Sequence, residues 1–205
     1  LDPYNYTITD NAKPSFTAED IDTNTDGAKD VHIADMDGDG DLDIVSASKD
    51  DDTIAWFEND GNANPSFTKH VVTTSLKGDG PWAVHVADLD GDGDLDIVSA
   101  YYYNSIIAWF ENDGAANPSW TAADISSWVL LGNSYANSPT DVYVADMDSD
   151  GDLDIVSSSE ADDTIAWYEN DGAADPSWTP ANIATSADGA WGVHVADLDS
   201  DGDLD

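Results

Sequence analysis

The chain has 205 residues, 40% of them hydrophobic, and carries 44 acidic against 5 basic side chains, for a formal charge of −39. Its apolar and aromatic content excludes a disordered acidic tail and suffices for a buried core. The charge argues against nucleic acid and anionic membranes as partners and favours cations. The lack of cysteine excludes disulfides and thiolate metal sites, and no apolar run is long enough to insert into a membrane.

The predicted elements, taken in chain order, follow a repeated unit. In the first full unit, short runs rich in Val, Ile, Thr and aromatic residues predict strands over 31–34, 42–48, 53–58 and 67–73. No helical period is visible and no segment has room for a crossover helix, so the strands should pair antiparallel. Four strands per unit are typical of a propeller blade. The sequence therefore predicts an all-β chain, a β-propeller of four-stranded antiparallel blades.

The repeat also predicts how the chain is divided. We expect one propeller segment over 1–205. Because the chain starts at Leu1 within one unit and ends inside a loop, we expect a piece of a propeller of roughly six to eight blades, or a piece completed by neighbouring chains. Its parts are the outer strands of a preceding blade (1–24), three full blades (31–83, 84–141 and 142–192), and the first strand and acidic loop of a truncated blade (193–205).

An acidic motif, D-x-D-x-D-G-x-x-D, separates the first two predicted strands of every unit. Alternate aspartates in a tight loop can aim their carboxylates at one centre, and Ca²⁺ takes six to eight oxygen ligands in irregular geometry. Gly40 allows the turn that wraps the ion. We expect Asp41 to offer its backbone carbonyl and Asp43 to close the site.

One Ca²⁺ per loop, up to four in all, is thus predicted. An EF-hand is excluded, because Ser46, Ser99 and Ser157 stand where its bidentate Glu is required. The candidate ligands are Asp35, Asp37, Asp39, Asp41 and Asp43 in the first loop; Asp88, Asp90, Asp92, Asp94 and Asp96 in the second; Asp146, Asp148, Asp150, Asp152 and Asp154 in the third; and Asp197, Asp199, Asp201, Asp203 and Asp205 in the fourth.

Together with the DLDIV strand and the IAW[FY]ENDG strand at 53–61, 106–114 and 164–172, this loop resembles the FG-GAP/VCBS repeat family. That family is similar to the propeller of integrin α subunits and to certain fungal propeller lectins. The resemblance covers nearly the whole chain. It implies calcium in the blade loops, a secreted or cell-surface location, and a role in adhesion or polysaccharide binding. The Phe-Gly…Gly-Ala-Pro signature is absent from the sequence, so integrin-like partner binding is not implied.

Irregular aromatic residues are the candidate ligand contacts. Trp82 and Trp191 precede first strands, Trp128 lies in a longer connection, and Tyr101, Tyr102 and Tyr103 replace Ser-Lys-Asp of the first unit. Such rings can stack on sugars, but surface packing or a protein contact explains them equally well. A further repeat position carries His32, His85, Tyr143 and His194, for which packing between first strands is favoured over a metal site.

No catalytic set is visible, since the chain has no cysteine or nucleophile elbow and its paired aspartates belong to the acidic loops. A non-enzyme is therefore predicted. One hypothesis is an extracellular module that binds a glycan, the matrix or a cell-surface protein in adhesion. The alternatives are a structural or self-assembling subunit of a cell-surface or filamentous structure, and an accessory domain of a polysaccharide-active enzyme.

Overall fold

In a computed structural model, the chain is described over residues 18–73, 80–126 and 136–205, and these residues form twelve strands and no helix. They build three antiparallel four-stranded sheets, each in chain order. The first sheet contains β1 (Ala28–Ala34), β2 (Asp43–Ser48), β3 (Thr53–Asn59) and β4 (Phe67–Thr73). The second contains β5 (Pro81–Ala87), β6 (Asp96–Tyr101), β7 (Ile106–Asn112) and β8 (Trp120–Asp124). The third contains β9 (Pro139–Ala145), β10 (Asp154–Ser159), β11 (Thr164–Asn170) and β12 (Trp178–Ala184).

The predicted all-β class and the four-stranded antiparallel unit are confirmed. In the first sheet β2, β3 and β4 match the predicted bounds to within one residue, whereas β1 begins at Ala28, three residues early. Two of the three added residues, Lys29 and Asp30, are charged, and a bulge separates Ala28 from Asp30, so the segment lacks the apolar alternation that marks a strand in sequence.

The apolar core lies between neighbouring sheets. One buried cluster joins the first sheet to the second and includes Met36, Trp56 and Phe110. The other joins the second sheet to the third and includes Leu89, Val98 and Tyr168. The middle strands β6 and β10 are buried along their whole length, as expected for strands packed on both faces.

The described sheets form an open array, in which the innermost strand β5 lies between β1 and β9. Val84 and Val142 face a neighbouring sheet and are each 3% exposed, whereas the equivalent Val31 in the first sheet is 57% exposed. Closure into the expected propeller ring stays a prediction, as does the division into blades. Of the expected preceding blade, residues 1–17 lie outside the described part, and 18–24 form no strand.

Residues 193–205 form no strand either, but they follow the pattern of an inner strand and its loop. The Val193 N–H donates to Asp141 Oδ2 at 2.9 Å, which holds this segment beside β9. The Asp205 N–H donates to the Ala196 carbonyl at 2.9 Å, which closes the last acidic loop. Within the described segments there is no helix long and apolar enough to cross a bilayer.

Candidate metal loops and aromatic patch

The first three acidic loops each follow an innermost strand, and all four are folded by their own carboxylates. In the second loop, Asp88 Oδ2 accepts the Gly93 N–H at 3.0 Å, and Asp90 Oδ1 accepts the Asp92 N–H at 3.2 Å. Gly93 has φ 99°, a conformation that L side chains avoid, which explains the glycine of the motif. The other three loops repeat these two hydrogen bonds.

Three carboxylates converge in each loop, with one oxygen of each lying within 4.8 Å of the other two. In the first and second loops these are the first three aspartates of the motif; in the third and fourth, the last aspartate replaces the third. Oxygen donors so close together are a set that a divalent cation can bridge. The groups are Asp35, Asp37 and Asp39; Asp88, Asp90 and Asp92; Asp146, Asp148 and Asp154; and Asp197, Asp199 and Asp205.

The last aspartate of the motif also ties the loop to its sheet. Asp96 is 1% exposed; its Oδ2 accepts the Leu89 N–H at 3.1 Å and its Oδ1 accepts the Asn112 N–H at 2.9 Å. Asp43 and Asp154 make the same pair of bonds. The carboxylates of Asp43 and Asp96 thus bind backbone N–H groups and lie outside the groups of three carboxylates.

The fourth aspartate of the motif points elsewhere. The carboxylate of Asp94 lies against Gly114, in the turn between β7 and β8, and a methyl group on Gly114 would overlap it. Asp41 with Gly61 and Asp152 with Gly172 repeat this contact. Among the described residues, none of these carboxylates joins a group of three.

Several carboxyl groups of the loops have raised pKa values, so their ionised form is disfavoured. Burial raises the pKa of Asp96 to about 7, against the opposing effect of its backbone N–H donors, and raises the pKa of Asp154 in the same way. Burial also raises the pKa values of Asp37 and Asp90, and neighbouring carboxylates add to both shifts. A nearby cation would reverse these shifts, because opposite charge favours the ionised form.

Adjacent loops enclose two equivalent clefts. The first is lined by Asp35 and Asp37 from one loop and Asp94 from the next. The second, of about 250 Å³, has Asp88, Asp90 and Asp152 at the same repeat positions. Neither cleft is lined by an aromatic residue.

Four aromatic side chains meet at the other end of the strands, and we name Trp82, Tyr102, Tyr103 and Trp191 the aromatic patch. The Trp82 ring centroid lies 4.8 Å from that of Tyr102 and 5.7 Å from that of Trp191. The rings of Tyr102 and Tyr103 meet edge to face at 5.3 Å. Trp191 is 55% exposed and Tyr103 is 54% exposed. Residues more than a hundred positions apart thus share one accessible surface.

One of the candidate ligand residues, Tyr101, does not belong to this surface. Tyr101 was expected to face a ligand, but it is fully buried in the cluster between the first two sheets. The reason is its position: it ends β6 at the place held in the other sheets by Ser48 and Ser159, which are also fully buried. Trp128 lies outside the described residues.

Sequence reasoning missed two lysines and one acid at the patch. Lys29 Nζ lies 4.4 Å from the Trp82 ring centroid, and Lys49 Nζ lies 5.3 Å from that of Tyr103. The Tyr102 hydroxyl donates to Glu160 Oε2 at 2.6 Å. One signal was available, because Lys29 occupies the same repeat position as Trp82 and Trp191.

The innermost strands are also linked by a row of rings. His32 lies 4.5 Å from His85, His85 lies 4.9 Å from Tyr143, and Tyr143 lies 4.7 Å from His194, measured between centroids. Burial and the nearby His32 and His194 lower the pKa of His85 to about 4. Burial also lowers the pKa of His32. His32 and His85 are therefore uncharged at neutral pH.

These features define a class: an all-β repeat protein whose sheets each carry an acidic loop after the innermost strand. A model of the FG-GAP-like repeat matches the chain over 35–99, 88–157 and 146–205, so the chain belongs to the FG-GAP-like repeat family. No curated protein gives a significant match to the sequence.

Solved structures that are similar to the chain include a lectin of Agrocybe aegerita, studied for its specific recognition of non-reducing terminal N-acetylglucosamine. The likeness has a TM-score of 0.53 at 20% sequence identity and covers 85% of this chain. It is a likeness of fold. The chain spans 45% of the length of that lectin.

Proposed function

We propose that the chain is a non-catalytic, calcium-stabilised module of a propeller that binds glycans outside the cell or at its surface. The observation that carries the proposal is the aromatic patch. Trp82, Tyr102 and Trp191 come from different repeat units, yet their rings meet on one accessible surface. Exposed aromatic rings grouped in this way are typical of binding surfaces.

Calcium fits the donor set of the acidic loops. Each group of three carboxylates supplies the hard oxygen ligands that Ca²⁺ takes, and backbone N–H groups already hold the first two aspartates in place. Asp88, Asp90 and Asp92 would hold the ion in the second loop. Four Ca²⁺ ions would change the formal charge by +8, from −39 to −31. Such ions would relieve the repulsion between crowded carboxylates and stabilise the loops.

A location outside the cytosol suits loops of this kind. Calcium-binding extracellular modules have dissociation constants of about 10⁻⁴ to 10⁻³ M, and only an extracellular calcium level keeps such sites filled. The glycan part of the proposal is supported by the fold likeness to a lectin that recognises N-acetylglucosamine. Aromatic faces stack on the apolar face of a pyranose ring, and a neighbouring carboxylate such as Glu160 can accept its hydroxyls.

A glycan array probed in calcium tests this function. We expect binding to a restricted set of glycans, and about 5–30-fold weaker binding by Trp191→Ala, since the loss of one stacked ring costs about 1–2 kcal/mol. Ile183→Ala is the matched control, because Ile183 is also 55% exposed but lies on β12. If no glycan binds, or if both variants bind like the unaltered chain, the proposal is wrong.

A second candidate, a self-assembling subunit, is favoured by the open face of the first sheet. Val31, Ile33 and Leu42 are each more than half exposed there, while equivalent valines are buried between sheets. A head-to-tail contact that imitates the internal packing would cover this face. Sedimentation over a range of concentrations distinguishes the candidates: assembly predicts larger species that Ile33→Asp abolishes, and a concentration-independent monomer contradicts it.

A further inference from the structure

The aromatic patch holds an unusual share of the positive charge of this acidic chain. All five basic residues are lysines, and three of them lie in the described part. Lys69 pairs with Asp22 at 2.8 Å on the outer strand β4. The other two, Lys29 and Lys49, both lie against Trp82, with Nζ at 4.4 and 5.6 Å from its ring centroid. Two ammonium groups therefore border the exposed rings.

The carboxylates around the patch are mostly engaged by donors of the protein itself. Asp52 Oδ1 accepts the Gly80 N–H at 2.7 Å, and Asp30 Oδ2 accepts the Val84 N–H at 3.0 Å. Glu160 accepts the Tyr102 hydroxyl. Asp50 contacts Lys49 at 3.4 Å, whereas Lys29 has no carboxylate within 4.0 Å among the described residues. The donors left for an incoming group are therefore the ammonium groups, Lys29 above all.

One repeat position next to the patch carries a small, buried residue, Thr140. Thr140 occupies the repeat position that Lys29, Trp82 and Trp191 occupy on the other innermost strands. It is 3% exposed and donates its hydroxyl to the Ala190 carbonyl at 2.9 Å. At the same end of the innermost strands, the rings of Trp82 and Trp191 meet at 65°. The two rings therefore form a corner, with Lys29 beside the Trp82 ring.

We propose that the aromatic patch binds an acidic carbohydrate, a pyranose that carries a carboxylate such as a hexuronic acid residue. The apolar face of the sugar lies on the exposed ring of Trp191, beside Trp82, and the carboxylate is directed to Lys29 and Lys49. This inference rests on the proposed glycan-binding function and names the class of sugar. It also explains why a chain of charge −39 keeps two ammonium groups at its aromatic patch.

Two other ligand chemistries fit less well. A quaternary ammonium compound suits aromatic faces, but the ammonium groups of Lys29 and Lys49 already lie over these rings and would repel it. A neutral sugar would use the rings and leave the lysines without a role. The acidic loops lie at the other end of β5, about 20 Å away, which exceeds the Debye length of about 8 Å at physiological ionic strength. Their charge therefore does not prevent an anion from binding at the patch.

The test compares trigalacturonate with its neutral methyl ester, which keeps the same sugar rings and linkages but carries no charge, by calorimetry in excess calcium. Short oligomers avoid the gels that long polyuronates form with calcium. We expect the acid to bind about 3–10-fold more tightly than the ester, since exposed ion pairs contribute about 0.2–1 kcal/mol each. Lys29→Gln with Lys49→Gln should abolish this preference, and Lys69→Gln should keep it. Trp191→Ala should weaken both ligands.

Three results would overturn the inference. Equal binding of acid and ester, lost in Trp191→Ala, would leave the glycan-binding function standing and refute the acidic class. The acid could also bind the lysine and Trp191 variants as tightly as the unaltered chain, and fail to bind in chelator. That result would place the anion at the calcium loops. Absence of binding by either ligand, with a glycan array that is positive for other sugars, refutes only this inference. A negative array refutes the proposed function as well.

Discussion

The carboxylate of Asp94 lies directly against Gly114, in the space that any side chain at that position would need. The contact joins an acidic loop to the turn that follows β7, and the equivalent pairs in the other two sheets repeat it. Gly114 also has φ 67°. A glycine is therefore required here for two separate reasons.

Replacing Gly114 with alanine should destabilise the chain by about 2–4 kcal/mol, from the left-handed backbone together with the overlap. Urea unfolding in calcium measures the loss. Gly189→Ala is the control, since Gly189 has φ 64° but nothing near its missing Cβ. It should lose only about 1–2 kcal/mol. Equal losses in the two variants would show that the contact with Asp94 has no energetic weight.

Calcium should raise the melting temperature of the chain, and Mg²⁺ should do so much less. At a free concentration of ten times Kd, one site contributes about 1.4 kcal/mol, or about 3–6 °C for a chain of this size. Asp90→Asn should remove about one site's share of that shift, and Asp188→Asn, an exposed change outside the loops, should remove none. A melting temperature that chelator leaves unchanged would argue against calcium in the loops.

Acid should weaken the packing of the innermost strands through His85. Its pKa is about 4 in the folded chain, whereas an unfolded histidine takes up its proton near pH 6.5. The unfolded state therefore binds more protons in this window, and stability should fall as pH drops from about 6.5 to 4. After allowance for solvent screening, we expect a loss of about 1–2 kcal/mol.

The variant His85→Phe keeps a ring at this position and removes the charge. Its unfolding free energy, measured in calcium, should fall less than that of the unaltered chain over the same pH window. His70→Gln serves as the comparison, because His70 lies on the outer strand β4 and pairs with Glu58 at 2.7 Å. An unchanged pH profile in His85→Phe would contradict the assignment.

Valine-to-alanine changes at equivalent positions report which sheet faces are covered in solution. Val84→Ala should cost about 2 kcal/mol, because Val84 is buried between sheets. Val31→Ala should cost less than about 0.5 kcal/mol, because Val31 is exposed. Denaturant midpoints of the two variants give the comparison. A large cost at Val31 would mean that a further sheet or another copy covers the open face.

The repeat made the sheets predictable, since three copies of one pattern place the strands, turns and acidic loops consistently. The hydrogen bonds within the loops follow from the same motif. What the sequence left open depends on contacts between units. Nothing local brings Trp82 and Trp191 together, because a whole repeat unit separates them in the sequence. Tyr101 was assigned to the ligand surface from its neighbours Tyr102 and Tyr103, although its counterparts Ser48 and Ser159 mark a buried position.

The position shared by Lys29, Trp82, Thr140 and Trp191 has a consequence for how such a chain can diversify. This position begins an innermost strand, and the acidic loop begins where the same strand ends. On the proposed function, a substitution at the beginning would alter what the chain binds and leave the carboxylates at the other end in place. Because the side chains at this position contact one another, as Trp82 contacts Trp191 and Lys29, they would set specificity jointly, and duplicated units can carry different residues there on a common scaffold.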